Sequence, residues 1–402
     1  MMRHTVHALA GTALASLVLV SPFSASAHAD PHAMAALLGP ISSIDKTKPM
    51  PAATKAAIDA AAADFIGSSL DQAPGLWLAV WDPKKGYYEQ AYGSAVIGGA
   101  TATVADHFYI GSITKTAMAT AVLQQVQAGT LKLTDTVKNL DPRLAKKYPS
   151  IRQITVTQLL SMTSGIPDYA DAAVMIMAKD PQHRFTRDQL IALGMSSGKQ
   201  KPPGSGGYST TNYLILGHIL RSLIPRSPEA LVNGVFRQAG MKQSRLPLTT
   251  RPLPDPAAHG YVGVLWASQL GDTNPSLTPT SDVSTWAFEW GKEGGGAWST
   301  IGDLATWGGT CLGNSLLPRP IIAERLRTTK IDAGLYGLGI IRQGDWLAHG
   351  GQAIGYETNV ACNPKTGAVV ATAVNSTYGK VDVDSAIGKA AYPEYLAAVS
   401  SP

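Results

Sequence analysis

The hydrophobic and polar positions along the chain predict helices and strands in a definite order. Ala52 to Leu70 is alanine-rich and typical of a helix, while the runs Leu76 to Trp81 and Tyr87 to Tyr92 are typical of strands. The turn residues Asp82 to Gly86 separate the two runs and predict a hairpin. The section from about Ser112 to about Gly291 is long, helical in pattern and rich in loops.

Strand patterns return near the end of the chain. Glu357 to Cys362 and Ala368 to Val374 flank a turn at Asn363 to Gly367. A last helical pattern runs near Asp384 to Ala398 and is interrupted around Pro393. We therefore predict one sheet that is built from both ends of the chain, with a helical section inserted between them.

The first residues follow the order of a secretory signal peptide. Arg3 precedes an uncharged run from Ala8 to Val20, and Ala25 to Ala27 forms a small-residue cleavage motif, although cleavage after Ala29 fits almost as well. The apolar run is too short for an ordinary spanning helix, which needs about 20 residues. We expect a periplasmic or secreted protein without stable membrane insertion; an uncleaved anchor is the alternative.

Composition places the chain among globular proteins. It has 402 residues, of which 45% are hydrophobic and 15% charged, and this excludes a disordered polar chain, a coiled coil and a collagen-like fibre. The net charge is +5 and the basic residues are scattered, which argues against a nucleic-acid partner. No pattern for a metal or cofactor is found, since His28, Asp30 and His32 fall in a leader that we expect to be loosely ordered.

The two cysteines, Cys311 and Cys362, could form a disulfide in an exported protein. Such a bridge would close a loop of 52 residues. It would be worth about 4 kcal/mol in the chain-entropy model. Two buried free thiols are the alternative.

Ser112 is the candidate nucleophile. The helical spacing that follows it places Ser112 at a helix N-terminus, where free N–H groups and the helix dipole favour developing negative charge. Lys115 lies three residues on, on the same helix face, and can accept the serine proton if burial lowers the pKa of its amine. Ser-x-x-Lys also occurs by chance, so an N-cap serine beside an exposed lysine is the alternative.

The motifs around and after Ser112 occur in an order that resembles the penicillin-recognising serine hydrolases. They are Phe108 to Lys115, Ile154 to Tyr169, Tyr208 to Tyr213, Gly295 to Thr300 and His349 to Gly351. The nearest branch looks similar to class C β-lactamases, D-alanyl-D-alanine carboxypeptidases and related esterases. The resemblance covers about residues 74–376.

The resemblance implies an α/β (α+β) fold with two lobes. An antiparallel sheet flanked by terminal helices would form one lobe, and a mainly helical lobe would be inserted into it. The predicted organisation is a signal peptide at 1–27, a leader at 28–51, the α/β lobe at 52–107 and 292–402, and the helical lobe at 108–291.

The resemblance also implies roles for individual residues. Ser112 would attack the acyl carbon, Lys115 would help to deprotonate it, and Tyr208 would move protons as a phenolate favoured by the Lys115 charge. The N–H groups of Ser112 and Gln352 would form the oxyanion hole. The strand motif His349-Gly350-Gly351 would line the cleft, with Gly351 leaving room for the acyl group.

Two positions depart from the family pattern, and both concern substrate recognition. Thr210 stands where relatives have an asparagine, and Gly350 stands where relatives have a threonine that helps to hold the substrate carboxylate. Thr210, Asn212 and Trp298 are the candidate substrate-binding residues, although Trp298 could equally be a core residue. Asp168 and Tyr169 follow a turn near the expected cleft, and a structural role is favoured for both.

Three further motifs receive structural interpretations. Lys365-Thr366-Gly367 spells the family's strand motif but is interpreted as a hairpin turn. Gly194 to Gly198 matches a nucleophile elbow, but a helical pattern precedes it where an elbow needs a strand. Thr300 to Asp303 is typical of a helix capping box.

We therefore expect an exported, metal-independent serine hydrolase that acts on a small acyl substrate through an acyl-enzyme. Activity like that of a D-alanyl-D-alanine carboxypeptidase on a peptidoglycan-type peptide is the first expectation. An esterase or a β-lactamase of the same family is the second. A penicillin-binding protein with weak or no catalysis is the alternative from another functional class.

Overall fold

The computed structural model describes residues 44–67, 73–249, 252–377 and Ala390. The predicted signal peptide lies outside these residues, as does most of the leader. The helix predicted near Asp384 to Ala398 also lies outside them, apart from Ala390.

The described part of the chain begins with a helix and a hairpin, continues mainly with helices and ends with a run of strands. The α-helices are α1 (Ala52–Gly67), α2 (Thr114–Gln127), α3 (Val137–Leu140), α4 (Pro142–Lys147), α5 (Val156–Leu160), α6 (Ala170–Lys179), α7 (Arg187–Ser196), α8 (Thr211–Leu223), α9 (Pro228–Gln238), α10 (Val264–Gly271), α11 (Lys292–Gly295), α12 (Ile301–Gly309) and α13 (Arg319–Arg325). Short 3₁₀ turns occur at Gly111–Ile113, Pro149–Ile151, Phe288–Trp290 and Asn314–Leu316. The strands are β1 (Gly75–Asp82), β2 (Gly86–Gly93), β3 (Phe108–Tyr109), β4 (Tyr261–Val262), β5 (Trp298–Ser299), β6 (Thr329–Ile331), β7 (Gly334–Tyr336), β8 (Ile341–Gln343), β9 (Trp346–Ala353), β10 (Tyr356–Cys362), β11 (Val369–Val374) and β12 (Ser376–Thr377).

Both ends of the chain contribute to one eight-stranded sheet. Its strand order is β2-β1-β11-β10-β9-β8-β7-β6, and every neighbouring pair is antiparallel. The predicted hairpin pairs Gly75 with Gly93 and Asp82 with Gly86. The predicted mixed fold with a large antiparallel sheet is therefore confirmed; the exact lobe boundaries stay predictions.

Strand β1 is buried along its whole length because the sheet is covered on both faces. Leu78 and Val80 pack with Ile58 of α1 on one face, while Trp77 and Ala79 join the large core on the other. A strand covered on both faces carries a continuous apolar run instead of an alternating one, and β1 has that pattern. The core behind β1 includes Trp307 of α12.

The last residues of the leader are ordered, contrary to the expectation for that segment. The N–H of Tyr87 donates to the carbonyl of Lys48 at 2.8 Å, and the N–H of Met50 donates to the carbonyl of Tyr87 at 3.3 Å. The Met50 side chain is buried against the sheet. Burial of this apolar side chain explains the order of a segment whose sequence has little periodicity.

The section predicted as helical also contains short strands. β4 pairs in parallel with β12, and β3 pairs with β5. A two-residue strand is too short to show an alternating pattern, and the same reason hides the three-residue strands β6, β7 and β8.

The three structural interpretations agree with local geometry, with one difference. Asn363 accepts backbone N–H groups of the turn at Lys365 to Gly367, and α7 leads into Gly194 to Gly198, so no strand precedes that motif. Thr300 caps α12 by accepting the N–H of Asp303. The Asp303 carboxylate does not complete the box, because it accepts from the N–H of Gln243 at 2.6 Å instead.

A disulfide joins Cys311 to Cys362, whose Cα atoms are 5.4 Å apart. It ties the end of β10 to the segment that follows α12. Among the described residues, no helix is both long enough and apolar enough to cross a membrane.

Candidate active site

Ser112 lies in the 3₁₀ turn that leads directly into α2. Gly111, the residue before it, has a φ of +48°, a conformation that favours glycine. A Cβ added at Gly111 would lie 2.5 Å from the backbone nitrogen of Gln352 on β9. Glycine at this position therefore lets β9 approach the backbone beside the candidate nucleophile.

Lys115 is fully buried and its amine makes three hydrogen bonds. Nζ donates to Ser112 Oγ at 2.8 Å, to Thr210 Oγ1 at 3.3 Å and to the carbonyl of Gly294 at 2.7 Å. Burial lowers the pKa of Lys115 to about 7, although the negative charge of Asp168 opposes part of that change. This geometry excludes the exposed-lysine alternative and provides a base at neutral pH.

Tyr208 stands beside this pair, but not as the expected phenolate. Lys115 Nζ lies 4.9 Å from the centre of the Tyr208 ring, so the cation faces the ring and not the oxygen. The buried phenol oxygen has no hydrogen bond of ordinary geometry within the described residues. It nevertheless lies near enough to the Ser112 hydroxyl for that hydroxyl to lower the pKa of Tyr208. Burial raises the pKa of Tyr208 well above its ordinary value, and the Ser112 hydroxyl only partly lowers it. Tyr208 is therefore a neutral hydroxyl.

His349 is a fully buried, neutral imidazole. Nδ1 lies 2.6 Å from the carbonyl of Gly350, which can only accept, so Nδ1 carries the proton. Nε2 then accepts from the hydroxyl of Tyr336 at 3.0 Å. Burial, with a smaller effect of the Lys115 and Arg325 charges, lowers the pKa of His349 to about 3, although the hydrogen bond to Gly350 opposes part of that change. This side chain offers a substrate carboxylate neither a charge nor a free N–H.

Gly351 lies where β9 meets the backbone that precedes Ser112. A Cβ at this position would overlap the carbonyl oxygen of Ile110 and lie 2.7 Å from Thr358 Oγ1. The glycine therefore makes room for this backbone, and the room expected for the acyl group stays a prediction. It lets β9 lie against the nucleophile turn.

Replacing Gly351 with alanine is expected to push β9 away from Ile110. We expect the free energy of unfolding to fall by about 3 kcal/mol, as for other overpacked sites. We expect kcat/KM to fall by about a hundredfold, since a shift near 1 Å in a reacting group has that effect. Chemical denaturation and steady-state kinetics measure the two effects.

Gly271→Ala is the matched control, because a Cβ there meets open space. Equal stability and activity in the two variants would contradict the account of Gly351.

Thr210 is part of the hydrogen-bonded cluster around Lys115. Its hydroxyl donates to Asp168 Oδ2 at 3.1 Å and accepts from Lys115 Nζ. A hydroxyl has one hydrogen, and Asp168 takes it. The one hydrogen of the Thr210 hydroxyl is therefore used within the protein, and the substrate role expected for Thr210 stays a prediction. Asp168, for which a structural role was favoured, is bonded to this hydroxyl beside Lys115.

Asn212 and Trp298 make contacts within the protein, and their expected roles in substrate binding stay predictions. The buried Asn212 accepts from Ser164 Oγ at 2.6 Å and thereby fixes the loop before α6. The Trp298 ring stands edge-on against His107, with ring centres 5.2 Å apart. Among the described residues, neither side chain makes a hydrogen bond or ring contact with Ser112 or Lys115. Tyr169 donates to the carbonyl of Trp290 at 2.6 Å, which agrees with its structural role.

The charged residues around α11, the helix whose Gly294 carbonyl accepts from Lys115, were not identified from the sequence. Glu293, fully buried on α11, accepts from Arg187 Nε at 3.0 Å, and Arg187 also donates to Glu229 at 3.1 Å. These charges come from α7, α9 and α11 and lie far apart in the chain, so spacing could not pair them. In the part of the chain that the structure describes, no three His, Cys, Asp or Glu side chains are grouped as a metal site.

Comparison with known proteins agrees with this geometry. The family model "Beta-lactamase" matches residues 62–392. Penicillin-binding protein 4 of Amycolatopsis lactamdurans is 32% identical over 190 residues, which is 46% of this chain and 46% of that protein. The chain thus spans less than half the length of this relative.

Solved structures are similar over more of the chain. A D-stereospecific amidohydrolase from Streptomyces sp. has a TM-score of 0.68 and 25% identity, covering 86% of this chain and 99% of that one. The D-amino acid amidase of Ochrobactrum anthropi SV3 in complex with D-phenylalanine has a TM-score of 0.72 and 22% identity, with 87% and 99% covered. Because the family model matches most of its length, the chain belongs to the beta-lactamase family.

Proposed function

We propose that the chain is a serine hydrolase that cleaves small amides or esters through an acyl-enzyme on Ser112. The observation that carries this proposal is the 2.8 Å hydrogen bond between Ser112 Oγ and Lys115 Nζ, in a buried site where burial lowers the pKa of the amine to about 7. A serine next to a neutral amine has the base that it needs to become a nucleophile.

The reaction begins when the neutral Lys115 amine takes the Ser112 proton. Oγ then forms a bond to the acyl carbon, and the N–H groups of Ser112 and Gln352 stabilise the oxygen that gains negative charge. The bond to the leaving group breaks as that group receives the proton that Lys115 took from Ser112, and the neutral Tyr208 hydroxyl beside Ser112 donates a hydrogen bond to the departing atom. In the second half of the reaction, Lys115 accepts a proton from water and the water oxygen attacks the acyl carbon. Ser112 Oγ then leaves and takes the proton back.

The substrate that this site favours has no carboxylate on its leaving group. Relatives are expected to hold that carboxylate through the strand motif, but here His349 is neutral with both nitrogens engaged, and Gly350 has no hydroxyl. The Thr210 hydroxyl donates its hydrogen to Asp168. These features favour amide or ester hydrolysis over the carboxypeptidase activity expected first. The name of the D-stereospecific amidohydrolase relative supports D-configured amides.

A matched pair of substrates tests this preference. N-acyl-D-Ala-D-Ala and its C-terminal amide differ only in the carboxylate. We expect kcat/KM to be at least about tenfold higher for the amide, because burying an unpaired carboxylate is costly. A higher value for the free acid would contradict the substrate class and restore the carboxypeptidase. A D-amino acid p-nitroanilide and its L-enantiomer test the stereochemical preference in the same assay.

A penicillin-binding protein with slow turnover is the second candidate function. The similarity to Penicillin-binding protein 4 supports it. Rapid acylation by a β-lactam, with no turnover of any amide or ester, would favour it over the amidase.

We also propose that the protein is exported. The signal-like N-terminus and the disulfide between Cys311 and Cys362 support this, because disulfides persist in oxidising compartments. The N-terminal residue of the protein recovered outside the cytoplasm tests it; an intact Met1 would contradict cleavage.

A further inference from the structure

We propose that Asp168 is a positioning residue that directs the lone pair of Lys115 toward Ser112, acting through the hydroxyl of Thr210. This inference rests on the proposed function, because it assigns the direction in which the base works. Asp168 does not touch the reacting atoms; the hydrogen-bond chain runs from Asp168 to Thr210 to Lys115.

The donors and acceptors around Lys115 fix the direction of its lone pair. A protonated amine has three N–H donors, and it has three acceptors here: Ser112 Oγ, Thr210 Oγ1 and the carbonyl of Gly294. After the amine loses a proton, two N–H donors and one lone pair remain. The lone pair must then face one of these three groups.

Two of the three groups can only accept. The Gly294 carbonyl has no hydrogen, and the single hydrogen of Thr210 is given to Asp168 Oδ2 at 3.1 Å. The two remaining N–H groups of Lys115 are therefore held by Gly294 and Thr210. The lone pair faces Ser112, which has a proton to give.

Without the Asp168 carboxylate, Thr210 could turn its own hydrogen toward Lys115. The lone pair of the amine would then accept from Thr210 and would no longer face Ser112. The N–H of Ala170, at the start of α6, donates to Asp168 Oδ1 at 3.1 Å and orients the carboxylate.

The other groups that face Lys115 do not supply a second anion. The rings of Tyr208 and Tyr213 lie 4.9 and 5.7 Å from Nζ, and His349 on β9 is neutral. Arg325 of α13 donates to Thr116 and Thr120 on α2 and carries a positive charge. Asp171 is not among the groups that change the pKa of Lys115, although the Asp168 charge raises the pKa of Asp171, and Asp332 accepts from the N–H of Tyr208. Asp168 is thus the charge that opposes the effect of burial on Lys115.

Asp168→Asn tests the proposal against Asp171→Asn. Both variants remove one acidic group beside the site. In Asp168→Asn the side-chain oxygen keeps the N–H of Ala170, so the amide nitrogen takes the place of Oδ2 and offers the Thr210 hydroxyl a donor where it had an acceptor. We expect kcat of Asp168→Asn at high pH to fall by about thirtyfold, less than the roughly 10²–10⁴-fold loss when a base is removed, because the amine is still present. We also expect the acid limb of kcat/KM to move down by about one pH unit, since a favourable charge is lost. Asp171→Asn should keep kcat within about threefold of the parent protein.

Thr210→Asn provides a rescue that a merely structural Asp168 would not show. An asparagine side-chain oxygen accepts from Lys115 without help from a carboxylate. In the Thr210→Asn background, Asp168→Asn should therefore reduce kcat by less than about threefold. If Asp168→Asn does not fold, as judged by thermal unfolding, Thr210→Val breaks the same link and should show the same loss of kcat.

Titration of Lys115 separates this proposal from the proposed function. In protein labelled with ¹³C and ¹⁵N at lysine, the signal absent from a Lys115→Met variant identifies Lys115. Its midpoint should be about one pH unit lower in Asp168→Asn than in the parent protein, whether or not a substrate turns over. An unchanged midpoint together with unchanged kcat would overturn the role of Asp168. A shifted midpoint in a protein with no turnover would overturn the hydrolase alone.

Discussion

Replacing Lys115 with methionine is expected to lower kcat/KM by about a thousandfold, the range for loss of a general base. Methionine fills a similar volume in the buried site but cannot accept the Ser112 proton. The three acceptors around Nζ would lose their donor, so thermal unfolding must confirm that the variant folds. Steady-state kinetics on an activated ester gives the rate.

The dependence of kcat/KM on pH tests whether Lys115 is the base. Burial lowers the pKa of Lys115 to about 7, and only the neutral amine can accept a proton. The kcat/KM of the parent protein should therefore rise about tenfold per pH unit below that value and level off above it. Burial and the charge of Asp168 also raise the pKa of Asp171 to about 7, so Asp171→Asn is the necessary control.

The limb should persist in Asp171→Asn and disappear in Lys115→Met. Persistence of the limb in Lys115→Met would assign the base to another group.

Replacing Ser112 with alanine is expected to abolish turnover, by on the order of 10⁴-fold or more, as for other serine hydrolases that lose their nucleophile. The rest of the site is left in place, and Lys115 keeps its bonds to Thr210 and Gly294. The loss should therefore appear in kcat with little change in the free energy of unfolding.

Ser196→Ala is the matched control for this loss. Ser196 is the central serine of the Gly194 to Gly198 motif, and its hydroxyl donates to the carbonyl of Leu193 at 3.0 Å, at the end of α7. Activity should be unchanged in this variant. Loss of turnover in Ser196→Ala, with activity kept in Ser112→Ala, would move the nucleophile to the other serine.

Local patterns predicted the parts of the fold and site that depend on neighbours in sequence. The β1–β2 hairpin was predicted from two strand patterns around a turn. The spacing of Ser112 and Lys115 placed both residues on one helix face. Strands β6, β7 and β8 were not predicted, because three residues cannot establish a period.

Side-chain partners from distant segments could not be predicted in the same way. Thr210 was expected to bind substrate because its residue type alone does not reveal that Asp168 takes its hydrogen. Tyr208 was expected to ionise because a nearby lysine was assumed to face its oxygen, whereas Nζ lies over the ring and burial raises the pKa of the phenol. In both cases the sequence identified the right segment, and only the tertiary structure fixed the direction of the hydrogen bond or charge.

Intact-mass spectrometry of the mature protein during reaction tests directly whether an acyl group becomes bonded to Ser112. The protein is mixed in parallel with a p-nitrophenyl ester, a β-lactam and an N-acyl-D-Ala-D-Ala amide, and quenched samples are digested to locate any adduct. The account predicts an added acyl mass on the peptide that contains Ser112, and no adduct in Ser112→Ala. An adduct on another residue, or substrate turnover that survives in Ser112→Ala, would contradict it.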